Sequence, residues 1–223
     1  MGKAGIFHAG RVARRSFALA LAVCVATISS APLHAASSAD PTAVVADIRA
    51  TAMEADLAAF YAARQYRPLW FDGHGQLTPA ARTFLELAKT SEIDGSAPEL
   101  IGLPQLAAAI AHAEREKSAL ALARAETLLS QSFAAYAAAL RDAPAGDMLY
   151  EHVSMRGPSL PRRDLLEMAA AAPALSQYVE QMGWMHPLYA PLRWAAAATA
   201  DEPARLVLAS NLERVRAIPA KPA

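Results

Sequence analysis

The sequence predicts an all-α fold of seven or eight helices in one irregular bundle, with one short aromatic turn or extended segment. Three observations lead there. Hydrophobic residues make up 54% of the chain and much of that share is alanine, the best helix former because it loses no side-chain entropy on folding. The 15 prolines fall mostly between alanine-rich runs, where they stop helices without breaking them. Larger apolar residues recur at spacings of three, four and seven instead of alternating, which is the period of a helix face.

Residues 1–35 read as a signal peptide. Lys3, Arg11, Arg14 and Arg15 form a basic start without an acid, and Phe17 to Ile28 is an uncharged apolar run, too short for a span of about 20 residues. Small residues up to Ala35 supply the cleavage site. Both the general secretory route and the twin-arginine route fit the Arg14-Arg15 pair. Cys24, the single cysteine, follows Val23, whereas a lipoprotein signal wants a small residue there; it reads as one more apolar residue of the leader. The leader carries four of the 21 basic residues and none of the 21 acids, leaving the remainder near −4. No basic field remains to attract nucleic acid or anionic lipid. The expected location is the periplasm, with no membrane span after cleavage.

The helical domain is expected over 36–219, with 220–223 as a tail. Asp40-Pro41 opens the first helix with an N-cap acceptor and a proline at its first position. Val45, Ile48, Ala52, Leu57, Phe60 and Tyr61 carry it to near Arg64, because Pro68 holds Arg67 away from helical geometry. Residues 66–71 are the compact aromatic segment, and Asp72-Gly73-His74-Gly75 is a turn. Thr78-Pro79 caps a second helix bearing Phe84, Leu85 and Leu87, and Asp94-Gly95 ends that region. Leu103 to about Lys117 forms a third. Ser118 to Arg141 forms the strongest, with Leu122, Leu129, Phe133, Tyr136 and Leu140 on one face and Arg124, Gln131 and Arg141 largely elsewhere. Asp142 to Pro161 is a loop in which Met148-Leu149-Tyr150 is expected to extend. Arg162 to about Ala171, Pro173 to Met182, Pro187 to Ala198 and Pro203 to Ala217 complete the set, with Gly183 expected as a C-cap and Pro219 as a stop.

Catalytic patterns are missing from the sequence. His74, His112, His152 and His186 lie at no metal-ligand spacing, and no His-Glu-x-x-His helix occurs. There is no serine-nucleophile elbow, no S-x-x-K and no phosphate-binding glycine loop. Without Cys24 the processed chain has no thiol. Asp94 near Glu92, and Asp201 beside Glu202, read as helix-end charges. Neither a cofactor nor a metal is expected. The candidate site residues are Tyr61, Tyr66, Trp70 and Phe71, as a sugar-stacking or groove-lining patch or as an aromatic core; a helix running into a turn favours core. Trp184, Tyr189 and Trp194 are read the same way.

Residues 60–71 (FYAARQYRPLWF) resemble the opening of the scaffold domain of large bacterial L,D-transpeptidases, which cross-link peptidoglycan. The likeness continues through residues 77–81 (LTPAA) and the Asp94-Gly95 step. Residues 125–141 are similar to that family's long helix, where an aspartate is usual at the place of Glu126. Residues 185–193 (MHPLYAPLR) and 211–219 (NLERVRAIP) resemble two later family segments, so the similarity covers about 45–219. It implies a non-catalytic scaffold or binding module acting with peptidoglycan or with a separate L,D-transpeptidase. The family's catalytic histidine and cysteine stretch has no counterpart here, so no catalytic residue carries over. A second expectation is that the chain is the N-terminal half of a truncated or split L,D-transpeptidase whose catalytic domain is encoded separately or lost.

Overall fold

The computed structural model describes residues 39–142 and 159–218. Among them the fold is all-α: α1 Pro41–Ala50, α2 Ala55–Ala63, α3 Pro79–Lys89, a 3-10 turn Ser91–Asp94, α4 Leu103–Glu116, α5 Ala119–Arg141, α6 Arg162–Ala171, α7 Leu175–Glu180, α8 Tyr189–Ala198 and α9 Glu202–Arg216. The extended segment expected at 66–71 reduces to one isolated antiparallel bridge between Phe71 and Leu77. The extended piece expected at Met148-Leu149-Tyr150, and His152, lie outside the described residues.

Side-chain caps explain where four of the nine described α-helices start. Asp40, Thr78, Ser118 and Asp201 each accept a backbone N–H of the first turn with a side-chain oxygen; proline follows Asp40 and Thr78 directly and comes two residues after Asp201. The helix expected over 41–64 is in fact two. Thr51 turns extended (ψ 129°) while its hydroxyl donates to the Asp47 carbonyl at 2.8 Å, so a local side-chain bond competes with the helical ladder. Glu54 then opens α2 by accepting the Ala58 N–H.

The ends of α2 and α7 share one device. At α2, Gln65 sits at φ 58°, its N–H bonds to the Ala62 carbonyl, and the Tyr66 N–H bonds back to Tyr61 at 2.7 Å. At α7, Met182 sits at φ 49°, its N–H bonds to Val179, and the Gly183 N–H bonds to Tyr178 at 2.8 Å. Both are Schellman closures with a non-glycine residue in the left-handed place. The expectation that Gly183 would be the left-handed C-cap is therefore corrected: Met182 takes that conformation. Gly183 is glycine for room, because a Cβ there would lie 2.4 Å from the Tyr178 ring. The helix expected over 173–182 shrinks to α7, because Ala172 is extended before Pro173 and the closure ends it early.

The long α5 is the centre, packed by α1, α2, α3, α4 and α6, while α8 packs on α9 and the 3-10 turn. The two aromatic groups distinguished in the sequence share one core. The Phe133 ring lies 5.3 Å from Trp70, 5.6 Å from Phe84 and 5.1 Å from Trp184 between centroids, within the range of attractive aromatic packing. Trp194 departs from its core expectation and is 41% exposed. Arg193 faces inward (see below), and one helical step of about 100° turns the next residue out; the Arg193 guanidinium lies 5.5 Å from its ring.

Candidate functional site

The aromatic segment after α2 turns back along α5, and a single carboxylate receives it. Glu126 is fully buried. Its Oε1 accepts the Leu69 N–H at 2.6 Å and the Tyr61 hydroxyl at 2.7 Å, and its Oε2 accepts the Trp70 N–H at 3.0 Å. The proton pattern follows from the donor inventory. The Tyr61 hydroxyl has one hydrogen, and Glu126 takes it. Ser130 Oγ, 2.7 Å from the Tyr61 oxygen, therefore donates to it, and accepts the Trp70 indole N–H at 2.9 Å. The result is one directed chain, Trp70 to Ser130 to Tyr61 to Glu126, in a low-dielectric core where such bonds reinforce one another.

Burial raises the Glu126 pKa above the usual carboxylate range, although the Leu69 and Trp70 amides, the Tyr61 hydroxyl and the nearby Arg64 pull it down. Burial, together with the Glu126 charge, pushes the Tyr61 phenol well above its ordinary value. Tyr61 is thus held as a neutral donor, a positioning role without proton exchange to solvent.

A second buried cluster joins the 3-10 turn to α8. Asp94 is 3% exposed and Arg193 is 0% exposed. Arg193 Nε donates to both Asp94 oxygens at 3.0 and 2.9 Å. Tyr189 donates to Oδ1 at 2.8 Å and Tyr136 to Oδ2 at 2.6 Å. The Arg193 Nη2 group donates to the Leu87 and Thr90 carbonyls at 3.1 and 3.0 Å, closing the end of α3. Arg216 does the same for α5, donating to Ala139 and Leu140 at 2.8 and 3.2 Å, and also to the Asp94 carbonyl at 3.1 Å. Cations at helix C-termini satisfy orphan carbonyls and oppose the helix dipole. Burial and the Asp94 charge raise the Tyr136 phenol well above its usual value. The reading of Asp94 as a helix-end charge is corrected: past Gly95 at φ 72° the carboxylate lies in the core, paired with Arg193.

Of the four candidate residues, Tyr61, Trp70 and Phe71 are buried in the core. Tyr66 is half-buried at φ 58°, with the Arg49 guanidinium 5.7 Å from its ring. Tyr61 and Trp70 meet in the Glu126 chain; Tyr66 and Phe71 make no hydrogen bond to it. His74 is an exposed turn residue, and His186 Nδ1 accepts the Leu188 N–H at 3.2 Å before α8. Among the described residues no group of three or more His, Cys, Asp and Glu side chains is placed to hold a metal ion, and no helix is long and apolar enough to cross a membrane.

Sequence reasoning missed Glu126 and Arg193 as organising residues. The signal for Glu126 was present: it lies four residues after Leu122 and seven before Phe133, inside the apolar stripe of α5, where an acid demands a partner. Arg193 carried no such signal, because its helix shows no charge pattern that separates it from an exposed arginine.

A family model described as "Scaffold domain" matches residues 55–195. That interval contains Tyr61, Asp94, Glu126 and Arg193, hence all the side-chain ends of both clusters except Arg216. The match is consistent with an L,D-transpeptidase scaffold domain, and no catalytic domain is matched. No curated protein and no solved structure matches the chain.

Proposed function

The chain belongs to the scaffold-domain family, and from that premise we propose that it is a non-catalytic module of the bacterial periplasm that works with peptidoglycan cross-linking or remodelling. One observation carries the reading. Several polar residues of the segments that resemble the L,D-transpeptidase scaffold are used internally: Tyr61, Glu126 and Ser130 hold the aromatic turn, Asp94 pairs with Arg193, and Arg193 and Arg216 close helix ends. Groups so paired and buried have no route to a substrate, while they give a rigid body on which partners can dock. The export-type leader at 1–35 supports the location.

The proposal is tested with the processed full chain and purified peptidoglycan sacculi. The expected result is retention on sacculi, or on an immobilised L,D-transpeptidase, above that of an unrelated exported protein of similar charge. Equal retention on both would overturn it. Cell fractionation and N-terminal mass spectrometry check the location, with a mature start near residue 36 expected.

A further inference from the structure

A cleft away from both buried clusters lies where α1 and α2 part. Its volume is about 510 Å³, and it is walled by the Thr51–Glu54 link, by α4 through Ala109 and His112, and by α5 through Arg124, Leu128 and Gln131. That volume lies within the range of small-ligand sites, about 300–1,000 Å³. Arg124, Leu128 and Gln131 stand at i, i+4 and i+7 on α5, hence on one stripe of the helix.

Three polar side chains of this cleft differ from those in the core in having no partners. Arg124, His112 and Gln131 are exposed, and their side chains make no hydrogen bond or ion pair among the described residues. The one acid on the cleft wall, Glu54, is bound to Arg162 at 3.1 Å, which leaves Arg124 as an uncompensated cation. Ala52 and Met53 belong to the extended link and make no backbone hydrogen bond among the described residues, so their N–H and C=O groups are available. Leu57 and Leu128 supply apolar wall.

We infer that this cleft binds the carboxylate end of a short extended peptide. The Arg124 guanidinium matches a carboxylate in fork geometry. Gln131 and the Ala52–Met53 backbone offer donors and acceptors for peptide groups, in the manner of strand addition. The apolar wall accommodates a small side chain. This ligand assignment stands apart from wall association.

The test titrates the processed full chain with N-acetyl-alanyl-alanine as its free acid and as its C-terminal amide, followed by NMR. A ligand of this size is expected to bind with Kd about 1 mM. The free acid is expected to shift the Ala52, Met53 and Gln131 signals, with the amide about tenfold weaker. R124Q should remove that difference, while R82Q, an equal loss of charge on α3 outside the cleft, should leave it unchanged. Equal binding of acid and amide, equal effects of R124Q and R82Q, or no shift with either peptide to about 20 mM would each overturn the inference. Sacculus retention by R124Q is measured in parallel: loss of peptide binding with retention intact separates failure of the cleft from failure of wall association.

Discussion

Glu126 accepts the backbone N–H of Trp70 at 3.0 Å, and through that bond the central helix fixes a turn 56 residues earlier in the chain. The same carboxylate takes the Leu69 N–H and the Tyr61 hydroxyl. A turn carrying Pro68 and two large aromatics has few ways to satisfy its amides locally, and here a side chain from α5 satisfies them.

Removing that carboxylate therefore orphans three donors at once. E126A is expected to lose roughly 3–5 kcal/mol of stability, since each buried unpaired donor costs about 1–3 kcal/mol. A denaturant titration followed by circular dichroism checks it. A loss of less than about 1 kcal/mol would show that the turn is held by its packing against Phe84 and Phe133 alone.

The pH dependence of stability isolates the same group. The Glu126 pKa is raised in the folded chain, so between the ordinary glutamate range and that raised value the folded state binds more protons than the unfolded one. Stability from this group is then fully present below its unfolded pKa and is lost as pH rises through the folded one. E126Q does not titrate, so the stability of the native chain relative to E126Q should be greatest at the acid end and shrink as pH rises. Denaturant unfolding of both from about pH 4.5 to 8 reads this out; a difference that is flat or grows with pH contradicts it.

Asp94 and Arg193 form a completely enclosed ion pair. Truncating one partner strands the other, so R193M and D94N should each cost about 3–5 kcal/mol. The double variant should cost less than the sum of the two, with a coupling of about 1–3 kcal/mol. Additive losses in thermal or chemical unfolding would mean that Tyr136, Tyr189 and the α3 carbonyls dominate over the charge pair.

Gln65 is exposed and left-handed at φ 58° in the closure of α2. Glycine adopts that conformation without the Cβ clash, so Q65G should stabilise the chain by roughly 0.5–1 kcal/mol. Met182 holds the equivalent place after α7 but is fully buried, so M182G should destabilise, because lost packing outweighs relief of the backbone. A thermal scan of the two variants should show shifts of opposite sign.

The sequence by itself determined that the described chain is helical and where most helices begin. Those are local properties: alanine content, apolar spacing, and the caps Asp40, Thr78, Ser118 and Asp201 act within one turn. It missed the break at Thr51, because a hydroxyl bonding to the carbonyl four residues back is compatible with both a bend and a continuing helix. Only the tertiary structure decided the fate of the polar residues. Glu126 stood in an apolar stripe and signalled a buried partner without naming it, whereas Asp94, Arg193 and Arg216 look like surface charges until the fold brings residues 94, 193 and 216 together. The cleft is likewise a product of packing, since its walls come from 51–57, 109–112 and 121–131. Local sequence sets backbone geometry because those forces act over a few residues; burial and ion pairing depend on neighbours that are distant in the chain, and only three-dimensional packing supplies them.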